Sequence, residues 1–565
     1  MGDAFNNYGN GGEDRSQSDP FSLFAGWSSR PDPIHLFSDS SDQDSRFPFS
    51  NCNDVVSHQL LPQTTTELDG IFTQRQFLLN DDASPPILHH APNPDHSSSA
   101  ALFDLLRSGA PISHRPNSSN ITIQSAAEEE DSGRPSTEDL LRIAGARFIQ
   151  SSWKPGGGSN TNNTNNNNPP LDELSFAVGL SDEEARSVEL AESLLTAAQK
   201  VGDGQYDKAS ILLTECELRS DPEGDPVQRL VHYFGRALRE KTDRETGKQQ
   251  QCCSLAGPEK VEEILMFPRR CFLEFYDKVP FGQVSEFAAI QAVVDSVCGS
   301  RRIHIVDFNI KNGEQWTIFM QALVSRDEVQ SVDHLKISAV GIRSRDVMEE
   351  TAQRLVDFAR TMALPFSFNL VMLDDFADLK EDTLAVEPGE AVAVLSEYLL
   401  TTLVAHSDKL DRVMKTIATL NPCVMVVTEV ESNHNSPVLI NRFVESLFYA
   451  SAYFDCLEAC MDRDSPHRRF VELTVFGEGS RIIVAAEGEE RAFRSVKMEV
   501  WRAYFRRFGM EEADLSLSCL YQAELVTKKF TCWRHCTIGV DGKSLIVGWK
   551  GTPIHSVTAW KFNCE

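Results

Sequence analysis

From Arg302 onward, short apolar runs alternate with longer segments whose apolar residues recur every three or four positions. This alternation constrains the chain more than any other feature. Ile303–Phe308, Leu335–Val340, Phe366–Leu370, Ala391–Leu395 and Cys423–Val430 have the length and the β-branched content of buried strands. Between them Gln315–Val324, Val347–Ala363 and residues 397–419 and 438–459 read as helices, the second with Leu355, Phe358 and Met362 on one face. Strands joined through helices pair in parallel, which predicts a doubly wound α/β sheet. The grain then changes. Ile482–Ala486, Leu515–Val526, Thr537–Val540, Leu545–Trp549 and Val557–Phe562 read as strands, with one long helix, Ser495–Phe508, among them. Asp541-Gly542 is a hairpin turn, so the sheet is expected to end in antiparallel strands.

Residues 182–300 carry the helical period almost throughout. Val188, Ala191, Leu194, Leu195 and Ala198 form one stripe. Val227, Leu230, Val231, Phe234 and Leu238 form another, behind Asp225-Pro226, a cap and first-turn pair. A third runs through Phe287, Ile290, Val293, Val294 and Val297. These helices are expected to cover the sheet as an α-helical cap.

Before about residue 170 the texture is polar. Gly156 to Pro170 reads GGGSNTNNTNNNNPP and offers nothing to bury. Residues 1–170 are therefore expected to be an acidic, Asn/Ser/Pro-rich disordered region, dispensable for folding, and residues 171–565 the globular part. Short aromatic clusters beside acids, such as Phe21, Leu23, Phe24 and Trp27, suit partner docking. Two segments of this region are helix-like: Leu102–Leu106, and Ser136–Gln150, where Ser136 and Asp139 make an N-cap.

The charge balance, 54 Lys and Arg against 83 Asp and Glu for a net of −29, disfavours broad electrostatic binding of nucleic acid. No apolar run approaches the roughly 18 residues of a membrane helix. The first residues lack the basic start and apolar stretch of a secretion signal. Thirteen scattered cysteines read as reduced intracellular thiols.

A strand followed by Asp307 and a turn holding Gly313 invites a nucleotide reading. S-adenosylmethionine needs a glycine-rich turn for close backbone approach and an acid at the end of the second strand. Here Asn309 and Lys311 stand where glycines are needed, and Val340-Gly341-Ile342-Arg343 supplies no acid. No G-x-G-x-x-G opens the helix either. Asp307 is expected to brace the strand end and Trp316 to pack the helix on the sheet. No cofactor and no catalytic residue is assigned.

These residues resemble a known family. Ile303, His304, Ile305, Val306 and Asp307, followed by Gly313, Gln315 and Trp316, resemble the VHIID signature of the plant GRAS (scarecrow-like) transcriptional regulators. Residues 182–300 and 335–418 resemble the family's two leucine-rich regions, and 301–334 its VHIID region. Pro422, with Phe448 and Tyr449 further on, resembles the PFYRE region, about 421–490. Trp501 with Gly509, then Trp549, then Thr558, Ala559 and Trp560 resemble the SAW region, about 491–565. The Arg-Glu pair of PFYRE is missing: Glu478-Gly479 stand at its place after Phe476-Gly477. Leu171–Ser175 is only an echo of the D-E-L-L-A segment, so gibberellin-triggered turnover is not implied.

The resemblance implies a Rossmann-like core without methyltransferase chemistry, a nuclear location, and action through protein–protein contact with other transcription factors or GRAS proteins, including dimers. It implies that the stripe Val188, Ala191, Leu194, Leu195 and Ala198, beyond packing the cap, lends part of itself to a partner groove. DNA is expected to be reached indirectly; direct sequence-specific binding is the alternative, and a methyltransferase the more distant one. Cys532–Cys536 with Cys456 and Cys460 invite zinc, but His535 and Cys536 are adjacent and rarely face one ion, so core thiols are expected and no metal. His434 follows a strand's C-terminal end and, with Glu429 and Glu431, reads as a loop hydrogen-bond network, a polar pocket being the alternative.

Overall fold

A computed structural model describes residues 135–152, 180–248, 268–326 and 331–562. The aromatic clusters before residue 135 and the Leu102–Leu106 segment lie outside the described residues.

The strands form one sheet in the order β3-β2-β1-β4-β5-β9-β8-β7. β1 (Arg302–Asp307), β2 (His334–Gly341), β3 (Phe366–Met372), β4 (Ala391–Glu397) and β5 (Val424–Val430) are parallel. β6 (Met510–Ala513), β7 (Cys536–Asp541), β8 (Ser544–Trp549) and β9 (Thr552–Phe562) pair antiparallel, β9 lying between β5 and β8 with β6 also on it. β1 and β4 are neighbours although the chain leaves β1 for β2. Their carboxyl ends therefore form the switch point at which open α/β sheets place ligands. The strands are buried runs because helices cover both faces.

The cap is built from α1 (Thr137–Ser152), α2 (Asp182–Gly202), α3 (Tyr206–Arg219), α4 (Pro226–Glu245), α5 (Arg269–Lys278) and α6 (Pro280–Ser296). Local chemistry fixes their starts. Ser181 and Glu184 close a capping box on α2, and Asp225 and Gln228 another on α4 ahead of Pro226. Then follow α7 (Glu314–Val324), α8 (Arg345–Thr361), α9 (Ser407–Leu420), α10 (Leu439–Cys460), α11 (Pro466–Val471), a π-helical stretch (Glu472–Glu478), α12 (Gly479–Val484), α13 (Met498–Arg506) and α14 (Leu517–Lys528). A buried ion-pair cluster of Arg229, Glu458, Arg468 and Glu472 binds α4, α10 and α11 together. Burial works to raise Glu458, but hydrogen bonds from Arg468, Arg463 and Arg229 outweigh it and hold the carboxyl at about 2.

Four expectations are corrected. The polar boundary near residue 170 is not where packing begins: α1 packs against α2 and α10 with Leu141, Ala144, Phe148 and Ile149 buried. Its apolar stripe prevails over the polar composition on either side. Leu515–Val526 is the helix α14, capped by Ser516, because Cys519, Gln522, Ala523 and Val526 follow the helical period beneath an apparent alternation. Ile482–Ala486 continues the π-helical stretch into α12; a five-residue apolar run buried all round does not distinguish strand from helix. Finally, residues 397–419 are not one helix. β4 runs through Glu397, Tyr398 takes φ +55°, and a short turn, Leu400–Leu403, precedes α9.

Candidate functional site

At the switch point the β1 strand end is tied down by its own side chains. Asp307 Oδ1 accepts the Asn309 amide at 2.8 Å, and Oδ2 accepts Trp316 Nε1 at 2.6 Å and Gln315 Nε2 at 3.5 Å. Burial pushes the Asp307 carboxyl up to about 7. Ile303, Ile305 and Val306 are core, and His304 sits buried between Glu390 and the Ser338 hydroxyl at 3.0 and 2.8 Å. Gly313 has φ +72°, and a Cβ there would lie 2.8 Å from Thr351 Cγ2. Only glycine fits, because α8 presses on this turn. The Thr351 hydroxyl and the Arg354 guanidinium donate to the carbonyls of Lys311 and Asn312, strapping the turn to α8.

Lys311 fills the space beyond. Its ammonium meets Glu397 at 2.9 Å and Glu286 at 3.8 Å and lies 5.0 Å from the Tyr398 ring centroid. Burial works against the charged amine, and Glu397 and Glu286 outweigh it. Burial and the neighbouring Glu397 charge push the Glu286 carboxyl up to about 8. Local spacing carries no sign of this cluster, whose members come from α6, the β1–α7 turn and the end of β4.

Next to it, the buried His555 ring contacts the hydroxyls of Tyr398 and Tyr453, each at 3.1 Å, and of Ser285 at 3.4 Å. Burial pushes this imidazole down to about 3, so it is neutral. The His434 amide donates to Ser495 O at 2.8 Å, and its ring meets Tyr449 edge-on. Glu431 accepts the Met498 amide and so starts α13, while Glu429, buried beneath, accepts the Thr401 amide at 3.4 Å. Burial pushes Glu429 up to about 8. These acids serve the chain itself: Asp307 the β1 turn, Glu397 an internal cation, Glu431 a helix start.

The other motif residues are packing residues. Pro422 is buried just ahead of β5, and Phe448 lies under the Arg142 guanidinium at 5.7 Å. Trp501 stacks on Phe505, and Gly509, at φ +71°, turns the chain from α13 into β6. Trp549 Nε1 donates to Asp455 at 2.7 Å. Trp560 Nε1 donates to Thr558, whose hydroxyl donates to Val427 O. Ala559 pairs with Val426. In place of the missing PFYRE pair, Arg481 pairs with Glu478 at 2.7 Å and reaches Glu240.

The expected partner stripe is corrected. Val188, Ala191, Leu194, Leu195 and Ala198 are all 0% exposed, because α1, α3, α4 and α10 enclose α2. Among the described residues the most exposed large apolar side chains are elsewhere: Ile211 and Leu218 on α3, 72% and 83% exposed and two turns apart, and Leu517 and Tyr521 on α14. The two cysteine pairs do meet. Cys456 Sγ and Cys460 Sγ are 3.8 Å apart, and Cys460 bonds on to Cys532. Hydrogen bonding within the group and burial hold Cys460 and Cys532 far above the ordinary thiol range. Among the described residues no His, Cys, Asp or Glu group has a metal-holding arrangement, and no helix is long and apolar enough to cross a membrane.

Comparison with known proteins places this architecture. The family model described as the GRAS domain family matches residues 190–561. The chain is 26% identical over 388 residues to DELLA protein RGL1 of Arabidopsis thaliana, covering 68% of this chain and 72% of that protein. It is 26% identical over 408 residues to DELLA protein 1 of Medicago truncatula, covering 70% and 66%. With Scarecrow-like protein 3 of Arabidopsis thaliana it shares 28% over 444 residues, covering 67% and 90%. The match thus spans about two thirds of the length of the DELLA relatives. The crystal structure of SCL7 in Oryza sativa superposes with a TM-score of 0.57 at 28% identity, covering 66% of this chain and 99% of that one.

Proposed function

This chain belongs to the GRAS domain family, and from that premise we propose that it is a regulator of plant transcription, working in the nucleus by binding other proteins rather than by catalysis. The observation that carries the reading is the outward apolar pair Ile211 and Leu218 on α3. Two large side chains at 72% and 83% exposure, on one face of a cap helix, form a surface that water disfavours and a partner can cover. The strand-end cluster supports the non-catalytic part. Where this fold class holds its ligands, the tethered Lys311 ammonium already occupies the space, paired with Glu397 and close to Glu286. DNA is reached through the bound partner, since a net charge of −29 repels phosphate.

The test is Ile211→Asp with Leu218→Asp. Both are surface changes, so the melt should stay within about 1 °C of the parent, as surface substitutions usually shift stability by only ~0.5 kcal/mol. Partner recovery from nuclear extract and activity of a promoter reporter should both fall. A reporter unaffected by a folded double variant would remove this face from the function. Isothermal titration with S-adenosylmethionine tests the alternative; micromolar binding would return the chain to the enzymes.

A further inference from the structure

α1 stands outside the region matched by the family, which begins at residue 190, yet it is built into the cap. Its contacts have the form of a ligand in a site. Leu141, Ala144, Phe148 and Ile149 recur at helical spacing and are buried against α2 and α10. At its start Thr137 donates its amide and hydroxyl to Asp455 Oδ1 at 3.3 and 3.2 Å. The other oxygen of Asp455 holds Trp549 Nε1 at 2.7 Å and the Lys550 ammonium at 3.0 Å. Glu138 pairs with Arg142 and accepts the Thr552 hydroxyl at the start of β9, just past the β8–β9 turn. The helix caps itself: Ser136 Oγ and the Asp139 carboxylate exchange hydrogen bonds with each other's backbone amides. A self-capped amphipathic helix with an apolar stripe in a trough and a polar clamp at one end is the helix-in-groove mode of peptide recognition.

The covalent connection does not force this seating. Residues 153–181 separate α1 from α2, and their Gly156–Pro170 run carries no apolar side chain. Twenty-nine residues can reach at most about 100 Å, roughly twice the width of a domain this size. The same reach serves the helix's own domain or a neighbour's.

We propose that the trough between α2, α10 and the β8–β9 turn is a docking site for a capped amphipathic helix, that α1 is its tethered occupant, and that a second copy of this chain can supply the same helix in trans. The occupant is argued from the site itself. The helix seen to fit is this chain's own, and any second copy carries it with an identical tether. Exchange would place α1 of each copy against Asp455 and Thr552 of the other, a swapped dimer that needs no new surface.

The experiment uses the full chain with a protease site inserted between residues 156 and 168. After cleavage, excess synthetic peptide 135–152 should displace the N-terminal fragment, and the same peptide with Leu141→Asp should not. Labelled peptide should bind the uncut Leu141→Asp chain at least tenfold more tightly than the uncut parent, whose own helix competes from close range. Thr137→Val in the peptide should weaken binding about tenfold to a hundredfold, as for one lost hydrogen bond to a charged group. Two tagged copies of the uncut parent, mixed at high concentration, should co-purify, and the Leu141→Asp pair should not. A fragment that stays bound through excess peptide, or a core that aggregates once the fragment leaves, would make α1 part of the core and overturn the proposal. If Leu141→Asp fails to fold, the cleavage arm decides alone. Peptide exchange without co-purification would overturn the second copy as occupant.

Discussion

Trp560→Ala tests whether the C-terminal tryptophans hold the fold or bind a partner. Trp560 is 1% exposed on β9, its ring 4.8 Å from Phe505 and its indole N–H on Thr558 at 2.9 Å. It pairs across to Met425 on β5 and to Glu512 on β6, so the cavity would open where three strands meet. Truncating a buried Trp costs about 3–5 kcal/mol. The broken hydrogen bond adds little, because Thr558 keeps its bond to Val427 O. For a unit of about 380 residues, an unfolding entropy of ~2.1 cal/mol/K per residue gives roughly 0.8 kcal/mol/K, so the midpoint should fall by about 4–6 °C. Trp560→Phe keeps a ring against Phe505 and should fall by only about 1–2 °C. Differential scanning calorimetry on both variants reads this directly. An Ala variant melting with the parent, but losing a partner the parent binds, would refute the structural reading and put this tryptophan in an interface.

Gly313→Ala places a methyl 2.8 Å from Thr351 at a positive φ, so it should cost about 1–3 kcal/mol and lower the midpoint by a few degrees; an unchanged melt would mean that α8 yields there. Glu429 is held protonated in the fold up to about pH 8, whereas the unfolded chain ionises it near its ordinary value. It therefore supports stability in acid and takes it away as pH rises toward 8. Glu429→Gln should match the parent near pH 4.5 and exceed it by ~2–4 kcal/mol above pH 8; a gap that does not vary with pH would contradict this sign. The thiols of Cys456, Cys460, Cys532 and Cys536 should resist iodoacetamide in the native chain at pH 7.5 and react in urea; rapid native labelling of Cys460 by peptide mapping would show the cluster to be open.

What could be read from the residues was whatever local spacing encodes. The runs at Ile303, Leu335, Ala391 and Cys423 became parallel strands because a strand buried on both faces has no reason to alternate. The brace at Asp307 and the packing residue Trp316 are legible locally, and the two bond each other. The caps at Asp225 and Ser136 marked true helix starts. What failed was pairing over distance. Lys311 meets acids 25 residues upstream and 86 downstream, and Asp455 gathers Thr137, Trp549 and Lys550 from opposite ends of the domain. Nothing local marks either node. The α1 signal was present in Leu141, Ala144 and Phe148, but the surrounding polarity outweighed it. The α2 stripe packs in the cap as its spacing predicts, but the part expected to reach a partner groove is enclosed too, since periodicity reports a buried face without saying what buries it.

The position of β9 between β5 and β8 carries a consequence for biosynthesis. The edge of β5 that β9 covers is translated about 120 residues before its partner. At roughly 5–20 residues per second, that edge waits unpaired for about 6–24 s on every nascent chain. The waiting strand reads Val424-Met425-Val426-Val427-Thr428-Glu429-Val430, apolar enough to template association with other nascent chains. Yield in cells should thus depend on chaperone capacity during that interval and improve at lower temperature. Release of synonymous codons from pausing between 431 and 551 should raise the soluble fraction without altering a single residue.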